Sequence, residues 1–211
     1  MIAPPAHGAT RPLPILTLDE VRVAASFGYL FDARQVGPCE SIVSMLWKFA
    51  RMNGLAGSRV VSQLTAAPLD PYEGLPASHS GIDVRRVARL LGLTQKTVRS
   101  SLGSPSGRRL LNPRLRYCPR CMACGYHGVV HQFLGAMQCP AHGDWLEEGC
   151  RVCGHASDYR LDAQLLDAPF RCASCRRPYA RGAMSFESPR QLPQRIRVAM
   201  TRAYLAQVSC P

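Results

Sequence analysis

Cys118-Pro119-Arg120-Cys121, Cys139-Pro140-Ala141-His142, Cys150-Arg151-Val152-Cys153 and Cys172-Ala173-Ser174-Cys175 decide how this chain folds. The last two pairs repeat the first two. Cys118 to Cys150 and Cys121 to Cys153 are each 32 positions apart, and Cys139 to Cys172 and His142 to Cys175 are each 33 apart. A tetrahedral ion needs four nitrogen or sulfur ligands; a C-x-x-C turn offers two from one tight loop, and a distant pair closes the site. The intervals of 17 and 18 residues between pairs suit zinc. Cys118, Cys121, Cys139 and His142 are therefore expected to hold one zinc ion, and Cys150, Cys153, Cys172 and Cys175 a second, two ions per chain. Buried or disulfide-bonded cysteines are the competing reading, and paired spacing without a secretion signal speaks against it.

A chain of 211 residues holds one medium domain or two small ones. It has no run of about 18 apolar residues. Its amino terminus lacks a charged segment followed by an apolar core and a cleavage site. These features predict a soluble bacterial protein, cytoplasmic and nucleoid-associated, with no membrane partner. Reduced thiols suit that address, and Cys39, Cys124 and Cys210 fall outside the two ligand sets.

The net charge is +12 and the pI about 9.6, and the excess is concentrated. From Gly81 to Cys121 there are ten basic residues against Asp83 alone, and from Arg171 to Pro211 eight arginines against Glu187. Such clustering marks a polyanionic partner, DNA or a nucleoprotein complex. Only Lys48 and Lys96 are lysines among 26 basic residues. Arginine suits phosphate forks, although codon composition alone could set that ratio.

The predicted architecture is mainly α with small zinc-ribbon β elements. A mobile amino-terminal extension covers residues 1–34, with Pro4, Pro5, Pro12 and Pro14 at its start and Thr17 and Glu20 at capping-box spacing before a short helix through Val21 and Ala25. A helical domain follows over 35–115. In it, Ile42, Met45, Leu46 and Phe49 line one face of a helix over 40–53 that Asn53-Gly54 stops, and a short helix runs from Arg59 to Leu64. A helix-turn-helix is expected over 81–103, where Val84, Val87, Ala88 and Leu91 form a stripe, Gly92 turns the chain, and Thr94 caps a helix that turns Val98 and Leu102 inward. An ordinary helical hairpin with a solvated basic face is the alternative. Candidate DNA contacts are Arg85, Arg86 and Arg89 on the first helix and Gln95, Lys96 and Arg99 on the second. Residues 116–147 and 148–183 form the two zinc modules, with Phe170 and Tyr179 over the second metal loop and little other core. Residues 184–211 form a basic helix and tail in which Ile196, Ala199, Met200 and Ala203 make a packing stripe.

Catalysis has little support in these residues. Cys124, His127 and His131 lie near the first ligand pair, but catalytic zinc keeps an open position beside a carboxylate base, and no acid lies between Asp83 and Asp144. They are read as packing or loop residues beside closed structural sites. Phosphate loops, nucleophile elbows and H-E-x-x-H motifs are absent from the sequence, and its 14 acids are scattered, against a two-metal nuclease.

Pro38-Cys39-Glu40-Ser41 leading into Asn53-Gly54, then Arg116-Tyr117-Cys118-Pro119-Arg120-Cys121, Gly125-Tyr126-His127, Cys139-Pro140-Ala141-His142-Gly143 and Cys150-Arg151-Val152-Cys153-Gly154, resemble the TniQ family of transposon targeting subunits (TniQ and TnsD). The resemblance covers roughly Phe31 to Arg181. It implies a helical domain with a helix-turn-helix, two zinc modules, pairing into a homodimer, and a job without catalysis. That job is to link a target DNA or DNA-bound recognition complex to an AAA+ ATPase and transposase. The short carboxyl end departs from longer relatives, which append target-reading domains, so a compact adaptor is expected. The alternative class is a zinc-containing helix-turn-helix transcription regulator.

Overall fold

The first long helix, α1 (Ile42–Asn53), starts where Ser41 takes an extended conformation and its hydroxyl accepts the Ser44 amide. It stops at Gly54, whose left-handed backbone (φ 60°) directs its amide to the carbonyls of Ala50 and Arg51. The same logic sets the next helices of this computed structural model, which describes residues 28–78, 81–103, 111–180 and 192–208. After α2 (Gly57–Val61), helix α3 (Val84–Leu91) is capped by Asp83 and closed by left-handed Gly92, and α4 (Gln95–Ser101) is capped by Thr94. Helix α5 (Pro119–Ala123) carries Cys118 as N-cap and Pro119 in its first turn. Short α6 (Ala163–Leu166) and α7 (Gln194–Val208) follow.

The structure is mainly helical, with one small sheet among the described residues. Two-residue strands β1 (Leu75–Pro76) and β2 (Arg160–Leu161) pair antiparallel, Leu75 opposite Leu161. The ribbon strands expected inside the metal modules reduce, among the described residues, to isolated bridges such as Gln138 with Trp145 and Arg171 with Pro178. The capping-box helix near Thr17 lies outside the described residues. Of the extension expected to be mobile over 1–34, residues 28–34 are folded onto α1. Phe31 is buried and stacks near Phe49, and the Asn53 amide group brackets Leu30 by donating to its carbonyl and accepting its N–H.

One apolar core runs from α1 through α2, α3 and α4 into the segment holding the second set of cysteines. Ile42, Leu46 and Trp47 of α1 and Val60 and Val61 of α2 share it with Leu161, Leu165, Leu166 and Phe170. Trp47 fixes the joint. Its indole Nε1 donates to the Leu165 carbonyl at 2.7 Å, and its ring lies 5.0 Å from that of Phe170. The second metal segment therefore has a large apolar partner, contrary to the expected small core. A second cluster gathers Cys118, Cys121, Cys139, Tyr126, Val129, Val130 and Phe133 under Ile196 and Met200 of α7. The packing role expected for the α7 stripe is thus seen at Ile196 and Met200, with Ala203 partly buried against them.

At α2 and α6 the backbones approach so closely that only glycine fits. The Gly57 amide donates to Asp167 Oδ1 at 2.5 Å, and a Cβ on Gly57 would meet the Ala163 carbonyl and lie 2.8 Å from the Asp167 nitrogen. Backbone atoms cannot yield as a flexible side chain can. Gly57→Ala is accordingly expected to destabilise the protein by about 2 kcal/mol, read as a lower urea midpoint at unchanged slope; an unaltered midpoint would show that the two helices separate freely.

Candidate metal centres and basic face

Each ligand pair is held by a short local structure. Cys139 receives the amide of Gly143 and gives its own to Asp144, Cys150 does the same with Gly154 and His155, and Cys172 with Arg176 and Arg177. The fifth residue of each of these turns is left-handed: Gly143 at φ 69°, Gly154 at 73° and Arg176 at 60°. Cys118 and Cys121 instead sit one helical turn apart at the start of α5, with left-handed Gly125 ending it.

The eight predicted ligands come together in two groups of four, with the ligand atoms of each group within 4.8 Å of one another. In the first, Cys121 and Cys139 sulfurs are 3.6 Å apart, and His142 Nδ1 lies 3.4 Å from Cys118 and Cys121 and 3.5 Å from Cys139. In the second, Cys150 to Cys175 is 3.6 Å and Cys153 to Cys172 is 3.7 Å. A tetrahedral ion with metal–sulfur bonds of about 2.3 Å separates its thiolates by about 3.8 Å. Disulfide bonds would bring the sulfurs to about 2.05 Å. Both clusters thus fit one metal ion each, and the cysteines in them are unbridged. Cys124 is exposed and stands outside both clusters. Burial pushes the Cys39 thiol up to about 11, which leaves it a poor nucleophile.

Between the first centre and α1 lies a polar seam. Val129 N–H donates to the Cys39 carbonyl and Ser41 N–H to the His127 carbonyl, each at 2.8 Å, and Tyr126 hydroxyl donates to the Pro38 carbonyl at 2.7 Å. The fully buried His127 has its Nε2 2.7 Å from the Arg116 carbonyl and its Nδ1 2.6 Å from the Ser41 hydroxyl. A carbonyl only accepts, so Nε2 carries the proton and the Ser41 hydroxyl donates to Nδ1. Burial pushes His127 down to about 4, opposed by the bond to Arg116. Burial likewise pushes His131 down to about 3, with His127 beside it adding to the effect. The adjoining Glu40 is buried and held by Lys48, Ser44 and the Gly37 amide. No residue near the seam announces it locally; its signal is the coincidence of two motif fragments far apart in the chain.

The basic residues divide. Arg85, Arg89, Gln95, Lys96 and Arg99 are exposed, and Arg85, Arg89 and Gln95 line a groove with Gly92 and Leu93. Arg86 is half-buried instead, its guanidinium bonded to the carbonyl and side chain of Gln63, where it braces α3. Arg116 is buried among the carbonyls of Phe133 and Ala136 and faces Glu148. Two members of the basic cluster therefore act in the interior. Among the described residues, the two sulfur-rich clusters are the only groups of three or more His, Cys, Asp or Glu side chains placed to hold a metal, and no helix is long and apolar enough to cross a membrane. The chain matches no family model, and no curated protein matches it.

Purified protein is expected to carry two metal ions per chain, and Cys118→Ser and Cys150→Ser to lose one each. Elemental analysis of the variants checks this, and a content near one in the wild type would remove a centre. For His127, a folded value of about 4 against an ordinary 6.5 means that the unfolded chain binds more protons between those limits. Stability is present above pH 6.5 and falls as the pH drops toward 4, with a contribution of about 3 kcal/mol from this group. Imidazole nitrogen shifts should show the neutral Nε2–H tautomer persisting below pH 5; protonation near 6.5 in the folded protein is the contrary result.

Proposed function

We propose that this chain is a non-catalytic targeting adaptor of a TniQ-like transposition system. It binds target DNA, or a DNA-bound recognition complex, through its basic face and an AAA+ ATPase through another surface, and leaves strand chemistry to the transposase. The observation that carries this reading is the seam: Pro38 to Ser41 and Tyr126 to His127, two of the segments on which the family resemblance rests, are hydrogen-bonded to each other across 86 to 88 positions. Motif fragments that meet in space behave as one unit.

Three further features support it. Three thiolates with an imidazole, and four thiolates, are zinc ligand sets, and a centre closed by four protein ligands serves structure, with no position left for a reacting water. Helices α3 and α4, joined through left-handed Gly92 with Gln95, Lys96 and Arg99 exposed, read as a helix-turn-helix that presents its second helix outward. The absence of a carboxylate cluster among the described residues gives no footing for two-metal strand cleavage.

Duplex affinity should fall steeply with salt, and Arg85→Ala with Arg89→Ala should reduce the slope of log K against log salt by about 1 per residue. The reading expects transposase and AAA+ ATPase genes beside this one, and reconstitution with their products tests the function. Omitting the chain should abolish or scatter targeted insertion. Arg99→Ala should reduce targeting with metal content and melting temperature unchanged, whereas Cys118→Ser should lower all three. Cleavage of DNA by the purified chain alone with magnesium or manganese would overturn the adaptor reading, and normal targeting without the chain would leave a transcription regulator.

A further inference from the structure

The three metal-binding turns share one backbone path, yet their left-handed residue differs. It is glycine at 143 and 154 and arginine at 176. Space does not explain the glycines, because a Cβ on Gly143 or Gly154 would meet nothing within 4 Å. The requirement is the positive φ, which a side chain makes unfavourable. Arg176 accepts that cost while Arg177 follows it and Arg171 begins the same hairpin, paired with Pro178. All three side chains are exposed, and Arg171 Nη1 donates to the Arg176 carbonyl at 3.1 Å, so the three charges share one tip. Among the described residues none of the three joins an ion pair, whereas Arg120 and Arg151 of the other ligand turns are paired with Asp144 and Glu147.

We infer that Arg171, Arg176 and Arg177 form a second phosphate-contacting surface, which meets the backbone of nucleic acid at the four-cysteine centre, apart from the α3–α4 face. Nucleic acid fits better than an acidic protein for two reasons. Arginine forks match phosphate oxygens. Protein interfaces also need buried aromatic or apolar anchors, and no exposed large apolar residue lies in 171–178, Val152 on the Cys150–Cys153 turn being the single one within the ligand turns of that centre. The metal-closed turn holds the backbone while the side chains reach outward, so little order is lost on binding.

The left-handed arginine makes the inference testable in two opposed readouts on the full-length, metal-loaded chain. Arg176→Gly should raise the melting temperature by about 2–4 °C. In fluorescence anisotropy with a short random-sequence duplex, the same variant should weaken binding several-fold and reduce the salt slope by about 1. Arg177→Gln, at an ordinary backbone position, should weaken binding similarly with stability unchanged, and Arg176→Lys should keep most of the affinity at wild-type stability. The inference is overturned if both neutral variants bind duplex and respond to salt as the wild type does, or if polyglutamate binds in place of duplex. Because Arg85→Ala with Arg89→Ala is measured in parallel, a loss confined to that pair supports the α3–α4 reading and rejects this one, and a loss confined to Arg176 and Arg177 does the reverse.

Discussion

The bond between the Ser41 hydroxyl and His127 Nδ1 is the point on which the molecule turns. Ser41 caps α1, so its hydroxyl already accepts the Ser44 amide; by donating onward to His127 it commits the helix terminus to the loop after α5. His127 in turn holds the Arg116 carbonyl, two residues before the first ligand. A single chain of hydrogen bonds thus runs from the start of the main helix to the first metal centre. Removing one partner leaves the others buried without compensation, a cost larger than the worth of the bond itself.

The second centre is tied in differently, through apolar packing. Trp47 and Phe170 form the joint, and the Leu165 carbonyl satisfies the indole that would otherwise be a buried orphan. The rings of Tyr117, beside Cys118, and Tyr179 lie 4.4 Å apart and tilted by 42°, and Tyr117 hydroxyl donates to the Gly149 carbonyl next to Cys150. Metal and core therefore support each other. Ions held in the two clusters would fix loops too short to hold their own shape, and the shared core gives those loops a fixed orientation relative to the helices.

Much of this was legible from local chemistry. The ligand pairs, the Thr94 cap, and the stops at Gly54 and Gly92 each depend on residues within one turn, and they stand where the sequence places them. What could not be read locally was long-range pairing. Nothing around Trp47 announces Leu165, and strands of two residues carry no period, so β1 and β2 leave no sequence trace. Charge counting also misled in two places, because Arg86 and Arg116 belong to the basic cluster but satisfy interior carbonyls. Arg176 shows the opposite case. Its identity is plain in the sequence, while its left-handed backbone, the property that sets it apart, is visible only in three dimensions.

The seam and the tryptophan joint have a consequence for how the chain is made. Synthesis releases residues from the amino terminus at roughly 5–20 per second. Helix α1 leaves the ribosome well ahead of its partners, since Ser41 waits for His127, 86 positions later, and Trp47 for Leu165, 118 positions later. Neither contact can form vectorially. The apolar face of α1 is consequently exposed on the nascent chain for several seconds, a window in which chaperones compete with misassembly, and folding commits only when both cysteine-rich segments have emerged. With two clusters fitted to hold an ion each, metal supply during translation, and not only afterwards, would then govern how much of the newly made protein reaches its native state.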